Sequence, residues 1–479
     1  MSPYKKACLL IFSVGLISFS CTDHFEEINT DPNRIDQISP GTLLNPIIYE
    51  MAGFNTSRSD AFTFQLMQVS VPFPSVSGGV HRYDVSENAG SSTWNTYYRW
   101  LINIKEMHQV ALAAQDVNYQ AIALTLNAWT YSLLTDAFGD VPMEEASRGD
   151  EKIYRPAFNT QQEVYARILQ DLELANSLFD TKKAMVYGTD MLYGNNVGNW
   201  QRFCNSLRLR LLLRVSKRPE TDAFTKMAAI INDPGKNPVF TRNEEAAVLK
   251  ISGIPPNVSP WGRAIDFTTG KAASEFFLQN LNDFNDPRRA KFATQARTAN
   301  GTATIGYRGI PSAYAGGESQ FDFLPSNLSI ALVTAPMISV LMPYAEVEFI
   351  KAELAQQGKI SADAKTHYEK GVKGAIEQWG AAMPADYFAN PKAAYDGSLE
   401  RIMLQKYYAL FFVDYQQWFE YRRTGLPVLP KGRDLLNEGR MPVRFPYPTT
   451  VQSTNTANYK LAVEHMGGDN INTRVWWEK

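Results

Sequence analysis

Cysteine is scarce in this chain: 479 residues contain three, at positions 8, 21 and 204. A disulfide framework is therefore excluded as the source of stability, and a large apolar core has to supply it. Neither sign of charge dominates, with 47 basic residues against 49 acidic ones. No basic block follows a nucleic-acid backbone, so nucleic acid is not an expected partner. The five histidines, His24, His81, His108, His367 and His465, lack metal-ligand spacing and read as surface or capping residues. HExxH, GxSxG, GxGxxG, a phosphate loop and a DxDxDG calcium loop are all missing. Acids are plentiful, but no spacing singles out the carboxylate pair that glycoside hydrolysis requires. A glycoside hydrolase is thus the remote alternative, and the reading is a binding protein that needs no cofactor.

A membrane-spanning run is also missing. Lys5 and Lys6 precede the 13 apolar residues Ala7 to Phe19, well short of the roughly 20 that a spanning helix needs. Residues 1–20 read instead as a secretory signal peptide. Ser18, Phe19 and Ser20 lead into Cys21, the arrangement a lipoprotein signal peptidase cuts before the cysteine is acylated, so Cys21 is the expected lipid attachment. The segment Thr22-Asp23-His24-Phe25-Glu26-Glu27 resembles an export signal that places lipoproteins on the cell surface. With Cys21 acylated, Cys204 has no partner.

What the chain has in quantity is helical periodicity. In YQAIALTLNAWTYSLLTDAFGDVP, Tyr119, Ile122, Ala123, Leu126, Trp129 and Leu133 line one side of a 3.6-period helix, which puts Gln120, Thr125, Asn127 and Ser132 elsewhere. Gly139 and Pro142 end it. The spacing predicts a short helix after a turn in 29–52, a long loop over 55–92, and a helix opening at Trp94 with Trp94, Tyr97, Leu101 and Ile104 buried. Thr160 and Glu163 form a capping box before a stripe of Val164, Ile168, Leu172 and Ala175. Arg208, Arg210 and Arg214 on the helix 200–215 read as seam residues paired with carboxylates. Tyr344 to about 378, broken at Gly358, has the anatomy of one tetratricopeptide-like unit, and 398–423 reads as one long helix capped by Gly425.

Residues 233–343 differ, with prolines and glycines interrupting any long period. The expected organisation is a helix-pair scaffold over about 94–215 and 344–423 and a loop-rich subdomain over about 233–343. Aromatics make up 12% of the chain, and rings on turns are the candidates for an exposed binding surface. His81, Arg82, Tyr83, Trp261, Tyr307 and Tyr314 are the expected ligand residues. A pyranose packs its C–H face on such rings while Arg82, Asn257 or Gln320 meets its hydroxyls. Peptide capture through backbone hydrogen bonds is the alternative.

Eight fragments occur in a recognisable order: LTDAFGDVPMEEA, PAFNTQQEVYARILQDLELA, NWQRFCNSLRLRLLLRV, NDPRRAKF, YAEVEFIKAELAQQGK, QQWFEYRRTGLPVL, PVRFPYP and RVWWEK. Together they resemble the SusD/RagB-like nutrient-binding outer-membrane lipoproteins over nearly the whole mature chain. The resemblance implies a mainly α fold of about four tetratricopeptide-like helix pairs with a loop-rich half that holds the ligand. It also implies a lipid-anchored position on the outer membrane, facing outward. The implied partner is a TonB-dependent, SusC-like transporter that receives oligosaccharides or, in some members, peptides. Met143 and Cys204 stand where the family often has tyrosine and alanine, and no family ligand residue is carried over.

Overall fold

The computed structural model describes residues 38–479. The expected signal peptide 1–20, the acylation site Cys21 and His24 lie outside the described residues.

The chain is mainly helical. Helix α1 spans Pro40–Arg58, and Ser39 caps it by accepting from the Thr42 amide at 3.3 Å. It is longer than the short helix expected, and it runs on through a π turn, Ser59–Thr63, to Leu66. The first third of the predicted 55–92 loop is therefore helical. Its hydroxyls explain this: Ser59 donates back to the Asn55 carbonyl at 3.1 Å, and both Ser59 and Thr63 donate to the carbonyl of Asp414. The two bonds to Asp414 anchor the π turn through its side chains.

Helices α2 (Ser91–Ala113), α3 (Val117–Phe138), α4 (Gln161–Leu178), α5 (Val197–Arg214) and α6 (Ala223–Asn232) follow. The capping box at Thr160 and Glu163 is present, as are the buried Trp94, Tyr97, Leu101 and Ile104. After α7 (Glu275–Asp283) come α8 (Tyr344–Gln356) and α9 (Ala364–Gln378), joined through Gly358 at φ +66°. The pairs α2/α3, α4/α5 and α8/α9 are followed by α10 (Leu399–Ala409) and α11 (Gln416–Thr424). Helix α12 (Thr456–Met466) precedes the C-terminal segment. Three two-stranded antiparallel ribbons connect the helices: β1 (Ser70–Pro72) with β3 (Lys271–Ala273), β2 (Ala247–Ile251) with β6 (Met337–Met342), and β4 (Arg297–Thr298) with β5 (Phe323–Leu324).

Two expectations are corrected. Helix α3 is not amphipathic: Gln120, Thr125 and Ser132 are buried along with the apolar stripe, and of the four polar positions only Asn127 is not. Thr125 and Thr130 turn their hydroxyls back to the carbonyls of Ala121 and Leu126 at 2.8 Å, and Ser132 to that of Trp129 at 2.7 Å. Self-satisfied hydroxyls cost little to bury, so a helix carrying them packs on every side. The predicted helix 398–423 is two helices. Phe412 at φ +63° and Asp414 at φ +33° break it, and the Asp414 carboxyl accepts from the Tyr415 amide and from Gln416 Nε2. Burial pushes that carboxyl up to about 6 against the opposing pull of Arg210. The Gly425 cap, at φ +77°, is as expected.

Buried ion pairs tie the pairs together. Arg210 pairs with Glu346, and Arg214 with Asp136 at 3.3 Å and Glu420 at 3.2 Å. Glu420 also meets Lys406 at 2.7 Å and Arg423 at 2.8 Å, and Arg423 meets Glu353 at 2.7 Å. The seam role of Arg210 and Arg214 thus follows the spacing argument. At the C terminus, Trp477 donates its indole N–H to Asp136 at 2.8 Å, and Glu478 pairs with Arg422 at 2.8 Å.

Candidate functional site

Three segments distant in sequence converge beside the β1/β3 ribbon. Arg82 reaches Asp434 at 3.1 Å and the Tyr314 carbonyl at 3.1 Å. The Leu436 amide donates to the Arg82 carbonyl at 2.8 Å, and the Asp434 amide to that of Ala313 at 3.2 Å. Gln68 Nε2 donates to the Pro430 carbonyl at 2.7 Å. Residues 68–84, 311–314 and 428–436 are thereby fixed to one another, the preorganisation that a binding surface on loops needs.

At their junction with the N-terminal half of α7 lies an open cleft of about 390 Å³, walled by α7 residues Glu275, Phe276, Gln279 and Asn280, by Gln68, by Pro311 and Ser312, and by the 428–432 stretch with Val428 and Lys431. Phe277, Leu278 and Leu281 turn into the core, which leaves Phe276 partly buried on the flank of α7. The edge of Tyr407 steadies its ring at 5.7 Å. Asn280 donates to the Phe276 carbonyl at 2.8 Å, and Gln279 to Asp283 at 2.7 Å. Their amide oxygens remain as acceptors. Among the described residues, no ion-pair partner engages Glu275 or Lys431. An aromatic ring flanked by free amide oxygens, a carboxylate and an ammonium suits a polyhydroxylated ligand.

Four of the six expected ligand residues, His81, Arg82, Tyr83 and Tyr314, belong to this junction, but behind the cleft rather than facing it. His81 is 1% exposed, Tyr83 4% and Tyr314 5%, so none of these rings offers a face for stacking. Tyr83 sits at φ +67°, and the Tyr314 hydroxyl donates to the Pro72 carbonyl at 3.2 Å. Arg82 is engaged by Asp434. These residues support the loops. Trp261 and Tyr307 are half-buried elsewhere: Trp261 packs on Phe267 at 5.4 Å and Phe412 at 6.4 Å, while Tyr307 lies under the Arg289 guanidinium at 5.0 Å. Neither lines the cleft and their ring contacts differ, so the six residues are not gathered around it. Asn257 and Gln320 use their amide N–H groups within their own loops, on Lys250 and on Ala315 and Gly317.

His81 is not the surface or capping residue that its sequence context suggests. Neither ring nitrogen has a hydrogen-bond partner, and burial, with a smaller contribution from Arg82, lowers its pKa to about 4. The unfolded chain takes up this proton near pH 6.5 while the folded one does not, so stability is full above that value and falls as the pH drops from about 6.5 to about 4. His81→Leu is expected to reduce the acid dependence of stability by about one proton over this window, read from denaturation midpoints at a series of pH values. An unchanged slope would place the imidazole in contact with solvent. His367 and His465 instead meet Glu348 at 2.7 Å and Asp140 at 2.6 Å.

Sequence reasoning missed Phe276, Gln279 and Asn280. The signal available was the pair Phe276-Phe277, because two adjacent rings on a helix cannot both face one core. Among the described residues there is no helix long and apolar enough to cross a membrane and no cluster of metal-ligating side chains.

Comparison with known proteins agrees with this architecture. A SusD homologue of Bacteroides fragilis is 23% identical, with a TM-score of 0.77 over 92% of this chain and 100% of its own. An outer-membrane protein of Bacteroides vulgatus, described in connection with nutrient binding, is 25% identical, with a TM-score of 0.80 over 92% and 100% of the two chains. A chitin-binding SusD homologue of Flavobacterium johnsoniae is 22% identical, with a TM-score of 0.76 over 91% and 98%. No curated protein matches the chain. The SusD-like family described as "Starch-binding associating with outer membrane" matches residues 32–448. With that match spanning most of its length and its helix pairs arranged as in these homologues, the chain belongs to the SusD-like family of non-catalytic, outer-membrane nutrient-binding proteins.

Proposed function

We propose that the protein is a cell-surface lipoprotein, anchored through Cys21, that captures oligosaccharides and delivers them to a partner TonB-dependent transporter of the outer membrane. The observation that carries the ligand class is the cleft at the loop junction, where the partly buried Phe276 ring lies among the free acceptors of Gln279 and Asn280. Stacking of a sugar's C–H face on one ring, with amides meeting its hydroxyls, requires neither catalysis nor cofactor. The starch-binding description of the family and the chitin-binding homologue support the same class. His81, Arg82, Tyr83 and Tyr314 hold the loops in this reading, whereas Trp261 and Tyr307 lie outside the cleft.

The test is a screen of purified protein against a glycan array and a peptide library, followed by calorimetry on the best ligand. Glycan binding without release of shorter products is the expected result, and Phe276→Ala should weaken it by about 1 kcal/mol, roughly fivefold. Peptide binding in place of glycan would overturn the ligand class. Glycan affinity unaffected by Phe276→Ala would move the site elsewhere.

A further inference from the structure

A second cleft, of about 540 Å³, lies on the β2/β6 ribbon and shares no residue with the first. Its walls come from β2, from residues 331–338, from Lys291 and from the end of α9. Leu332, Pro336, Met337 and Ile338 make its apolar side. Trp379 is half-buried there, and its orientation is fixed by Phe292 and Phe411, each 5.4 Å from the indole. A ring immobilised in this way loses little entropy when a ligand packs on it.

The polar groups at this cleft lean to one sign. Lys250 and Lys291 are both exposed at its rim, and among the described residues no carboxylate pairs with either ammonium. Lys250 projects outward from β2 between the buried Leu249 and Ile251. No acidic residue lines the cleft. Beside the indole, the Gln378 side-chain oxygen is buried and accepts no hydrogen bond, an orphaned acceptor of the kind that a ligand hydroxyl satisfies. A rigid indole, an apolar wall, an acceptor without a donor and two unpaired cations together describe a ring with one apolar face, hydroxyl donors and a negative charge.

We propose that this cleft is a second binding site, selective for an acidic sugar of the hexuronic acid class. The pyranose C–H face lies on Trp379, a ring hydroxyl donates to Gln378, and the carboxylate is met by Lys250 and Lys291. The first cleft, with Glu275 beside Lys431, has no such excess of positive charge. The proposal does not depend on the identity of the ligand bound there.

The experiment titrates the whole protein with a trimer of galacturonic acid and with its methyl ester, which keeps the rings and removes the charge. The acid is expected to bind more tightly than the ester, with an affinity that falls as salt is raised. The double variant Lys250→Gln/Lys291→Gln, altered only at exposed positions, should weaken the acid about tenfold or more and leave the ester unchanged. Trp379→Phe should weaken both, whereas Phe276→Ala should affect neither. Equal affinity for acid and ester, no detectable binding of the acid, or an acid affinity untouched by the lysine pair would each overturn the proposal. Because neutral glycans are measured separately through the Phe276 variant, failure here and failure at the first cleft are distinguishable.

Discussion

Glu420→Ala is expected to destabilise the fold by about 3–5 kcal/mol, the range measured when one partner of a buried ion pair is removed. Glu420 is the only carboxylate among the described residues that meets the Lys406 ammonium, which is 1% exposed. It also serves Arg214 and Arg423, but these keep Asp136 and Glu353. Alanine at 420 therefore leaves one cation buried and unanswered. Burial alone would raise the Glu420 carboxyl, yet Arg423, Lys406 and Arg214 hold it well below its ordinary value. Its contribution is present above the usual glutamate range and is lost as the pH falls through the depressed value. Urea midpoints measure the loss. The double variant Glu420→Gln/Lys406→Met, which removes the charge together with its partner, should recover a large part of it. A single variant as stable as the parent would show that the lysine finds water or another acceptor.

The second large effect concerns binding. A Cβ on Gly432 would fall inside the van der Waals shell of the Ser312 carbonyl oxygen and 2.7 Å from that of Ala313. Both are backbone atoms, and the Ala313 carbonyl is held by the Asp434 amide, so the clash cannot be relieved by rotating a side chain. Gly432→Ala should push the 428–436 segment away from 311–314 and open the cleft wall. The expected result is a loss of glycan affinity of about tenfold or more, or about 1.4 kcal/mol, with the far-ultraviolet spectrum retained. Calorimetry on the glycan selected by screening reads it. Unaltered affinity would show that the wall formed by residues 430–432 does not touch the ligand.

Periodicity and caps made much of the scaffold legible. The Thr160 box, the Gly139 and Gly425 stops and the helix break at Gly358 are local signals, and local hydrogen bonding produces each of them. The errors arose where a distant residue decides. The break between α10 and α11 depends on the Asp414 carbonyl receiving Ser59 and Thr63, more than 350 positions away in chain order, and nothing within 398–423 announces it. The pattern of α3 is one-sided only if threonine and serine behave as polar residues, and here their hydroxyls are satisfied within the helix. Rings on turns were expected outside, but Tyr83 and Tyr314 lie inside because the 428–436 segment closes over the loops that carry them. The cleft was illegible for a related reason: Gln68, Phe276 and Lys431 share no local pattern and meet only once the helices have packed.

The C-terminal clasp bears on the order in which this molecule is assembled. Trp477 and Asp136 are 341 positions apart, so their bond closes a loop that holds most of the chain. The entropy of such a closure has to be met before the contact rewards it, which places long-range pairings after local helix formation. The aspartate on α3 gains its indole donor, and Arg422 its Glu478 carboxylate, only when the C-terminal segment docks, which makes the clasp a late step in folding.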